Sequence, residues 1–181
     1  MVIAMIGILA AVVLPSSQPN VQDQLLATAQ TVADELAYAR SLAMANNSKY
    51  RFTFDVANNR MVLQHSGTSA ALADLPASPF RSPKDPSNQH IVDLDELPHV
   101  GAPLALLAAT VASSSSVAAV SSVEFGPLGA TTASNPTTVW LTAGTGAGQR
   151  YVSVAVNPVT GLATVGQYTT QGPPAGVLSG L

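Results

Sequence analysis

The chain has 181 residues, a formal net charge of -3 at pH 7 and no cysteine. It is long enough for one domain with a buried core. The missing cysteines exclude disulfides, thiol catalysis and cysteine-based zinc sites, and the small negative charge provides no basic field for nucleic acid. Only 9% of the residues are charged, which suits an all-β or α+β domain with uncharged loops.

An apolar run without charges, MVIAMIGILAAVVL, opens the sequence and ends at Pro15. A helix of this length is about 21 Å long, against roughly 30 Å for the hydrocarbon core of a bilayer. The run has the length of a signal-peptide core, although no basic segment precedes it. Pro15 predicts a kink or an end of the first helical stretch. We assign residues 1–20 to an apolar membrane or filament-core helix.

An amphipathic helix is predicted next, over residues 21–47. Apolar residues recur at spacings of three and four and form one stripe, and Asn46 and Asn47 are a stop signal. The stripe needs an apolar partner, which we expect to be the sheet that follows. The residues assigned to this helix-to-sheet packing are Leu25, Ala29, Val32, Leu36 and Ala43.

After the helix the pattern alternates, as is typical of strands. Residues 49–54 and 60–65, separated by an Ala-Asn-Asn turn, predict a β-hairpin. The fold class is therefore α+β: a long N-terminal helix, apolar and then amphipathic, packed on an antiparallel β-sheet head. The head covers residues 48–170 with an irregular insertion at 66–121, and a flexible tail follows at 171–181. Further strands are predicted at residues 90–94, 122–125, 137–142, 151–157 and 162–168.

The sequence offers little support for catalysis. No serine lies in a Gly-x-Ser-x-Gly elbow, and the glycine-rich residues 144–148 predict a hairpin turn because a phosphate-binding loop needs a lysine and a following helix. An acidic segment with two histidines gives weak candidates for a metal site, Asp93 and Asp95, but its spacing matches no known ligand motif. We predict no enzymatic activity and no cofactor. The other members of that segment are His90, Glu96 and His99.

Nucleic acid is an unlikely partner on charge grounds. Phosphate contacts need several cations, and Arg150 is the single basic residue after Lys84. Lys49, Arg51 and Arg60 could form a small basic patch on the first hairpin, although a solvated strand face is the more common arrangement.

Four segments carry a resemblance to a known family. The stretch VIAMIGILAAVVLPS resembles the back half of the N-terminal helix of type IV pilins and pseudopilins. The segment ELAYARSLAMANN followed by KYRFTF narrows the likeness to the GspH/FimT group of minor pilins and pseudopilins. VEFGPLG and RYVSVAVNPVTGLATVG are similar to the last strands of that group. The resemblance covers residues 1–65 and about 120–168.

The resemblance implies a structural subunit of a type II secretion system or a type IV pilus, acting in filament assembly or initiation. It implies a single-pass protein of the bacterial inner membrane with a periplasmic head, or a filament subunit. Its partners would be other pilin or pseudopilin subunits, the inner-membrane assembly platform and, through the N-terminal helix, the membrane. Small residues in that helix would allow close packing. The residues assigned to membrane and subunit packing are Val2, Ile3, Ile6, Gly7, Ile8, Leu9, Ala10, Ala11, Val12, Leu14 and Pro15.

Members of the group normally carry a basic leader that ends in glycine, followed by a stretch of the type Phe-Thr-Leu-Ile-Glu. Prepilin peptidase cleaves after the glycine and methylates the new amine. Aligned on Pro15, the chain begins about seven residues into the mature helix, and adding them would lengthen the apolar run to about 21, enough to span a bilayer. We expect this processing motif to lie upstream of Met1, or to be lost. The alternative is an exported β-rich binding module with a signal-peptide-like N-terminus.

Overall fold

The computed structural model describes residues 20–76, 85–97, 103–113 and 116–174. Helix α1, Val21–Ala45, opens this part of the chain. The side chain of Asn20 caps its first turn by accepting a hydrogen bond from the Gln22 N–H at 3.1 Å. At the other end Asn47 takes a left-handed backbone conformation with φ 46°, which reverses the chain into the first strand.

In the four described ranges nine strands follow the helix, and they form two antiparallel sheets rather than one. The first sheet has the order β3-β2-β1-β6 and the second has the order β5-β4-β7-β8-β9. The fold class is α+β, as predicted. The strands are β1 Tyr50–Asp55, β2 Arg60–His65, β3 His90–Asp93, β4 Leu104–Ala112, β5 Val117–Ala119, β6 Ser122–Phe125, β7 Thr137–Ala143, β8 Arg150–Val156 and β9 Ala163–Val165.

Helix α1 covers both sheets. It contacts β1 and β6 of the first sheet and β7, β8 and β9 of the second, so that one continuous core lies between the helix and the strands. The apolar stripe faces this core because its spacing follows the period of the helix. The five residues assigned to helix-to-sheet packing, Leu25, Ala29, Val32, Leu36 and Ala43, are all fully buried.

The segment predicted as an irregular insertion, residues 66–121, contains a nine-residue strand in place of a loop. Strand β4, LALLAATVA, pairs with both β5 and β7. Its register to β7 shifts between Leu106 and Ala108, so the alternation of inward and outward side chains changes phase inside the strand. Because of this bulge, the sequence of β4 does not show the regular alternation of buried and exposed residues that predicts a strand. Between β4 and β5, the Ser113 N–H donates to the Ser116 carbonyl at 2.8 Å.

Asn59 joins the two sheets at the turn between β1 and β2. Its backbone is left-handed, with φ 50°, a conformation that asparagine tolerates better than most residues. Its side-chain amide then meets β4 as a neighbouring strand would: Nδ2 donates to the Leu104 carbonyl at 2.8 Å, and Oδ1 accepts from the Leu106 N–H at 2.7 Å. Asn59, in a turn of the first sheet, therefore fixes the position of β4, the second strand from the edge of the second sheet.

The β7–β8 turn and strand β9 of the second sheet follow the sequence prediction with one difference, the length of β9. Residues 144–148 connect β7 and β8 as a hairpin turn, with φ 79° at Gly144 and 58° at Gly146. Strand β9 is shorter than the predicted 162–168, because the chain beyond Val165 is held to β8 by isolated bonds, including the Tyr151–Thr169 bridge. Residues 175–181 of the predicted tail lie outside the described residues.

Candidate subunit interface

The residues predicted to pack in a membrane or filament core, Val2 to Pro15, lie outside the described residues. Within the four described ranges, no helix is both long and apolar enough to cross a bilayer. The head itself therefore supplies the candidate contact surface for which geometry can be given.

Two turns from different sheets meet at the C-terminal end of α1. Residues 126–129 form the turn after β6, closed by the Gly129 N–H donating to the Gly126 carbonyl at 2.9 Å. Residues 157–162 form the turn between β8 and β9, where Asn157 Oδ1 accepts from the N–H groups of Val159 and Thr160 at 2.9 and 3.0 Å. Asparagine suits this position because its side chain mimics a backbone acceptor two residues on.

The turns touch through two glycines. Both have a left-handed backbone, with φ 80° at Gly129 and 65° at Gly161, where a side chain adds strain. A Cβ atom on Gly161 would also overlap with the carbonyl oxygen of Gly129. The Thr131 N–H donates to the Pro158 carbonyl at 2.9 Å. Glycine is therefore required here by close backbone approach as well as by conformation.

The end of the helix holds the two turns in place. Arg40 Nε donates to the Thr160 carbonyl at 2.8 Å, and a Cβ on Gly129 would lie 2.8 Å from the Met44 sulfur. Since both turns are fixed to each other and to α1, the side chains at their tips are presented on a rigid support.

These tips are apolar and exposed. Leu128 is 90% exposed, Val159 79% and Leu162 54%, and Met44 beside them is 39% exposed. We call Met44, Leu128, Val159 and Leu162 the turn patch. Isolated exposed apolar residues are ordinary, but several on neighbouring turns mark a candidate interaction surface. Sequence analysis did not select these residues. The available signal was an apolar residue at the tip of each glycine turn, PLG and PVTG, where polar residues are the rule.

The basic hairpin is neutralised by acids of the first sheet. Arg51 Nη2 lies 2.9 Å and Lys49 Nζ 3.6 Å from the Glu124 carboxylate, and Arg60 Nε lies 2.9 Å from Asp55. Burial alone would raise the pKa of Glu124, but the hydrogen bond from Arg51 and the charges of Arg51 and Lys49 act against it, and the pKa lies below its ordinary value. The three cations are therefore paired within the head.

Side chains of the acidic segment after residue 89 also form hydrogen bonds within the head. His90 is buried, and its Nε2 lies 2.9 Å from Glu35 of the helix. Asp93 Oδ1 accepts from the Asp95 N–H at 2.9 Å, and Asp95 Oδ1 accepts from Asn59 Nδ2 at 2.6 Å. In the part of the chain that the structure describes, no three His, Asp or Glu side chains converge as metal ligands. His99 lies outside that part.

The sequence of this head matches a known protein family. The model of the family of type II transport protein GspH matches residues 28–161, which is more than half of the chain and includes the first turn and all of the second except Leu162. The chain belongs to the GspH family. The resemblance to the pilin-like GspH/FimT group is thus confirmed.

Other comparisons add little to the GspH assignment. The chain is similar to the crystal structure of the type IV minor pilin FimU of Pseudomonas aeruginosa strain PAO1, with a TM-score of 0.46 and 17% identity over 84% of this chain and 90% of that chain. A likeness at this TM-score carries no argument about function. No curated protein sequence matches the chain.

Membership of the GspH family bears on two predictions. Pilin and pseudopilin families consist of structural subunits and not of enzymes, so this chain is a structural protein. The family also points to other pilin-like subunits as partners and to the periplasm or a filament as its location. The turn patch is the exposed apolar feature of this GspH-family head that such a partner could cover.

Proposed function

We propose that the protein is a minor pilin or pseudopilin that acts in filament assembly or initiation, in a type II secretion system or a type IV pilus. The observation that carries the proposal is the turn patch, of which all residues except Leu162 lie inside the segment that matches the GspH family. In this proposal the apolar residues 1–14 anchor the chain in the inner membrane and later pack among the helices of other subunits, with Gly7, Ala10 and Ala11 permitting close approach.

The position of the turn patch supports a contact along the filament. Helix α1 has 25 residues and is therefore about 37 Å long. The apolar N-terminal run precedes its first residue, whereas the patch surrounds its last turns. A subunit held by its N-terminus would present the patch at the far end of its head, where the heads of neighbouring subunits meet.

The chemistry of the turn patch favours a protein partner with an apolar surface. The patch residues carry no charge, and the adjacent Arg40 donates its Nε–H to the Thr160 carbonyl. Because the turns are fixed in advance, binding loses little conformational freedom. Several exposed apolar side chains on neighbouring turns are typical of a surface that binds another protein.

Replacing Leu128 and Val159 together by serine tests the proposal in cells that assemble the filament. We expect filament assembly or secretion to fall about tenfold or more, since truncated interface anchors each cost more than about 1 kcal/mol. The level and thermal stability of the protein should stay the same, because both side chains are exposed. The matched control replaces Leu72 and Ala73, on the short turn after β2, by serine. Normal assembly with the Leu128/Val159 variant would contradict the proposal and favour the exported binding module.

Anchoring is tested separately by cell fractionation. We expect the full chain in the inner-membrane fraction and a chain without residues 1–19 in the soluble periplasm when both are exported, since those residues contain the apolar run. Recovery of the full chain in the soluble fraction would contradict a membrane-anchored subunit.

A further inference from the structure

We propose that strand β5 is a self-pairing edge, through which two copies of this chain join their second sheets into one continuous antiparallel sheet. This contact lies at the opposite edge of the second sheet from β9 and its turn. It is separate from the turn patch, goes beyond the function proposed above, and stands or falls independently of it.

The register of the β4–β5 hairpin shows which backbone groups are free. Val111 pairs with Ala118, and the bonds on either side run between Ser113 and Ser116 and between Ala109 and Val120. Because hydrogen-bonded pairs alternate along an antiparallel ladder, the N–H and C=O groups of Ala118 face β4. Those of Val117 and Ala119 face outward, away from the sheet.

This edge lacks the devices that protect other edges. All three β5 residues are exposed, no Asp, Glu, Lys or Arg occurs between Glu96 and Glu124, and no proline between Pro103 and Pro127. Natural proteins normally blunt a free edge with charge, proline or a covering segment. A neutral edge with small side chains and free backbone groups is therefore built to accept another strand.

The other three edges are protected. Strand β3 carries Asp93 and leads into Asp95 and Glu96, which would repel the same strand of a second copy. The outer side of β6 is covered, since the Thr132 N–H donates to the Glu124 carbonyl at 2.9 Å and Phe125 bridges to Thr131. Strand β9 packs against α1.

The occupant that fits β5 is a second β5, because the free groups are self-complementary. In an antiparallel pair about a two-fold axis, Val117 of each copy lies opposite Ala119 of the other, and the two outward donor–acceptor sets bond to each other. Ala118 then faces Ala118 on the axis as a non-hydrogen-bonded pair. Three residues on each side bury much less than the roughly 1,000 Å² of a stable interface, so the pairing is weak and depends on local concentration.

Cysteine placement tests this register directly, since the chain has no cysteine. Opposed residues of a non-hydrogen-bonded pair have Cα atoms about 4.5 Å apart, within the range of a disulfide, whereas a residue and its copy displaced along the strands exceed about 7 Å. The full chain in detergent, carrying Ala118→Cys, should form a disulfide-linked dimer under mild oxidation. Ala119→Cys, the matched control, should do so at least about tenfold more slowly.

A second variant removes the pairing and keeps the fold. Val117→Pro deletes an outward N–H that β4 does not use, so the thermal unfolding curve should not change while dimer formation by Ala118→Cys falls about tenfold or more. Equal oxidation rates for cysteines at 118 and 119, no dimer from Ala118→Cys, or an undiminished dimer in the folded Val117→Pro background would each overturn the proposal. A disulfide to a different protein in its place would assign the edge to another partner.

Discussion

The two sheets of this head differ most in where their charges lie. The strands of the first sheet carry Arg51, Asp55, Arg60, Asp93 and Glu124, and four of these form ion pairs across the hairpin and its neighbour. Among the five strands of the second sheet, Arg150 is the single charged residue. Both sheets bury apolar side chains in the core, but charged pairs lie on the first sheet and not on the described strands of the second.

This difference teaches how one head can be both well ordered and prepared for association. Charges on the first sheet satisfy one another and discourage pairing with other chains. The second sheet is kept in place by contacts with the first sheet and with α1, at the Asn59 bridge and at the two glycine turns. Its edge strand β5 and the apolar turn that follows β8 are the contact surfaces that we propose.

The largest predicted effect breaks the contact between the sheets at the glycine turns. Gly161→Ala should lower the free energy of unfolding by about 3 kcal/mol or more, since it adds backbone strain at positive φ and a clash with the Gly129 carbonyl. Gly146→Ala is the matched control: its φ is 58° but no atom lies within 4 Å of its Cβ, so it should cost about 1 kcal/mol. Urea unfolding measures both. Equal losses would show that the turns do not support each other.

A smaller effect is expected at the other connection between the sheets. Asn59→Ala removes the two side-chain bonds to β4 and should lower the free energy of unfolding by about 2 kcal/mol. Asn59→Gly keeps the left-handed backbone without strain and loses the same bonds, so it should recover about 1 kcal/mol relative to alanine. Both are measured by urea unfolding. If Asn59→Ala were as stable as the wild type, the second sheet would not depend on this bridge.

The charges of the first sheet predict a dependence on pH. Because the folded pKa of Glu124 is lowered, its carboxylate stabilises the fold above the unfolded pKa of about 4.3, and this contribution is lost as pH falls through the lower folded pKa. Glu124→Gln should cost about 1 kcal/mol or less near pH 7, since Lys49 and Arg51 are half exposed. The cost should shrink in acid. Urea unfolding across this pH range, with exposed Glu96→Gln as control, would reject the idea if the cost were constant.

The smallest effect belongs to the charged residue of the second sheet. Arg150 donates to the carbonyls of Ala147 and Gln149 in its own hairpin turn. Arg150→Gln should change the free energy of unfolding by about 0.5 kcal/mol or less, with no added pH dependence. A loss as large as that of Glu124→Gln would erase the contrast between the two sheets.

The sequence predicts the helix, the first hairpin and strands β6 to β8 better than the segment between that hairpin and β6, for physical reasons. A helical period kept over 25 residues and a charged, alternating hairpin are strong local signals, and both elements form as expected. Strand β4 gives no such signal, because its bulge changes the phase of its pattern. The Asn59 side chain connects the two sheets, and the turn patch depends on the contact between two glycines that are distant in sequence. No local pattern reports contacts of that range.

The turn patch as a subunit contact is tested most directly by cross-linking at Leu128 during assembly. Leu128→Cys, the sole cysteine in the chain, is treated in assembling cells with a bifunctional thiol and amine reagent, and the products are identified by mass spectrometry. We predict a specific cross-linked product between Leu128→Cys and another pilin-like subunit. The control, Ala73→Cys, places an exposed cysteine on the short turn after β2 and should not give this product. Normal assembly with no product at Leu128, or equal products at both positions, would contradict the account.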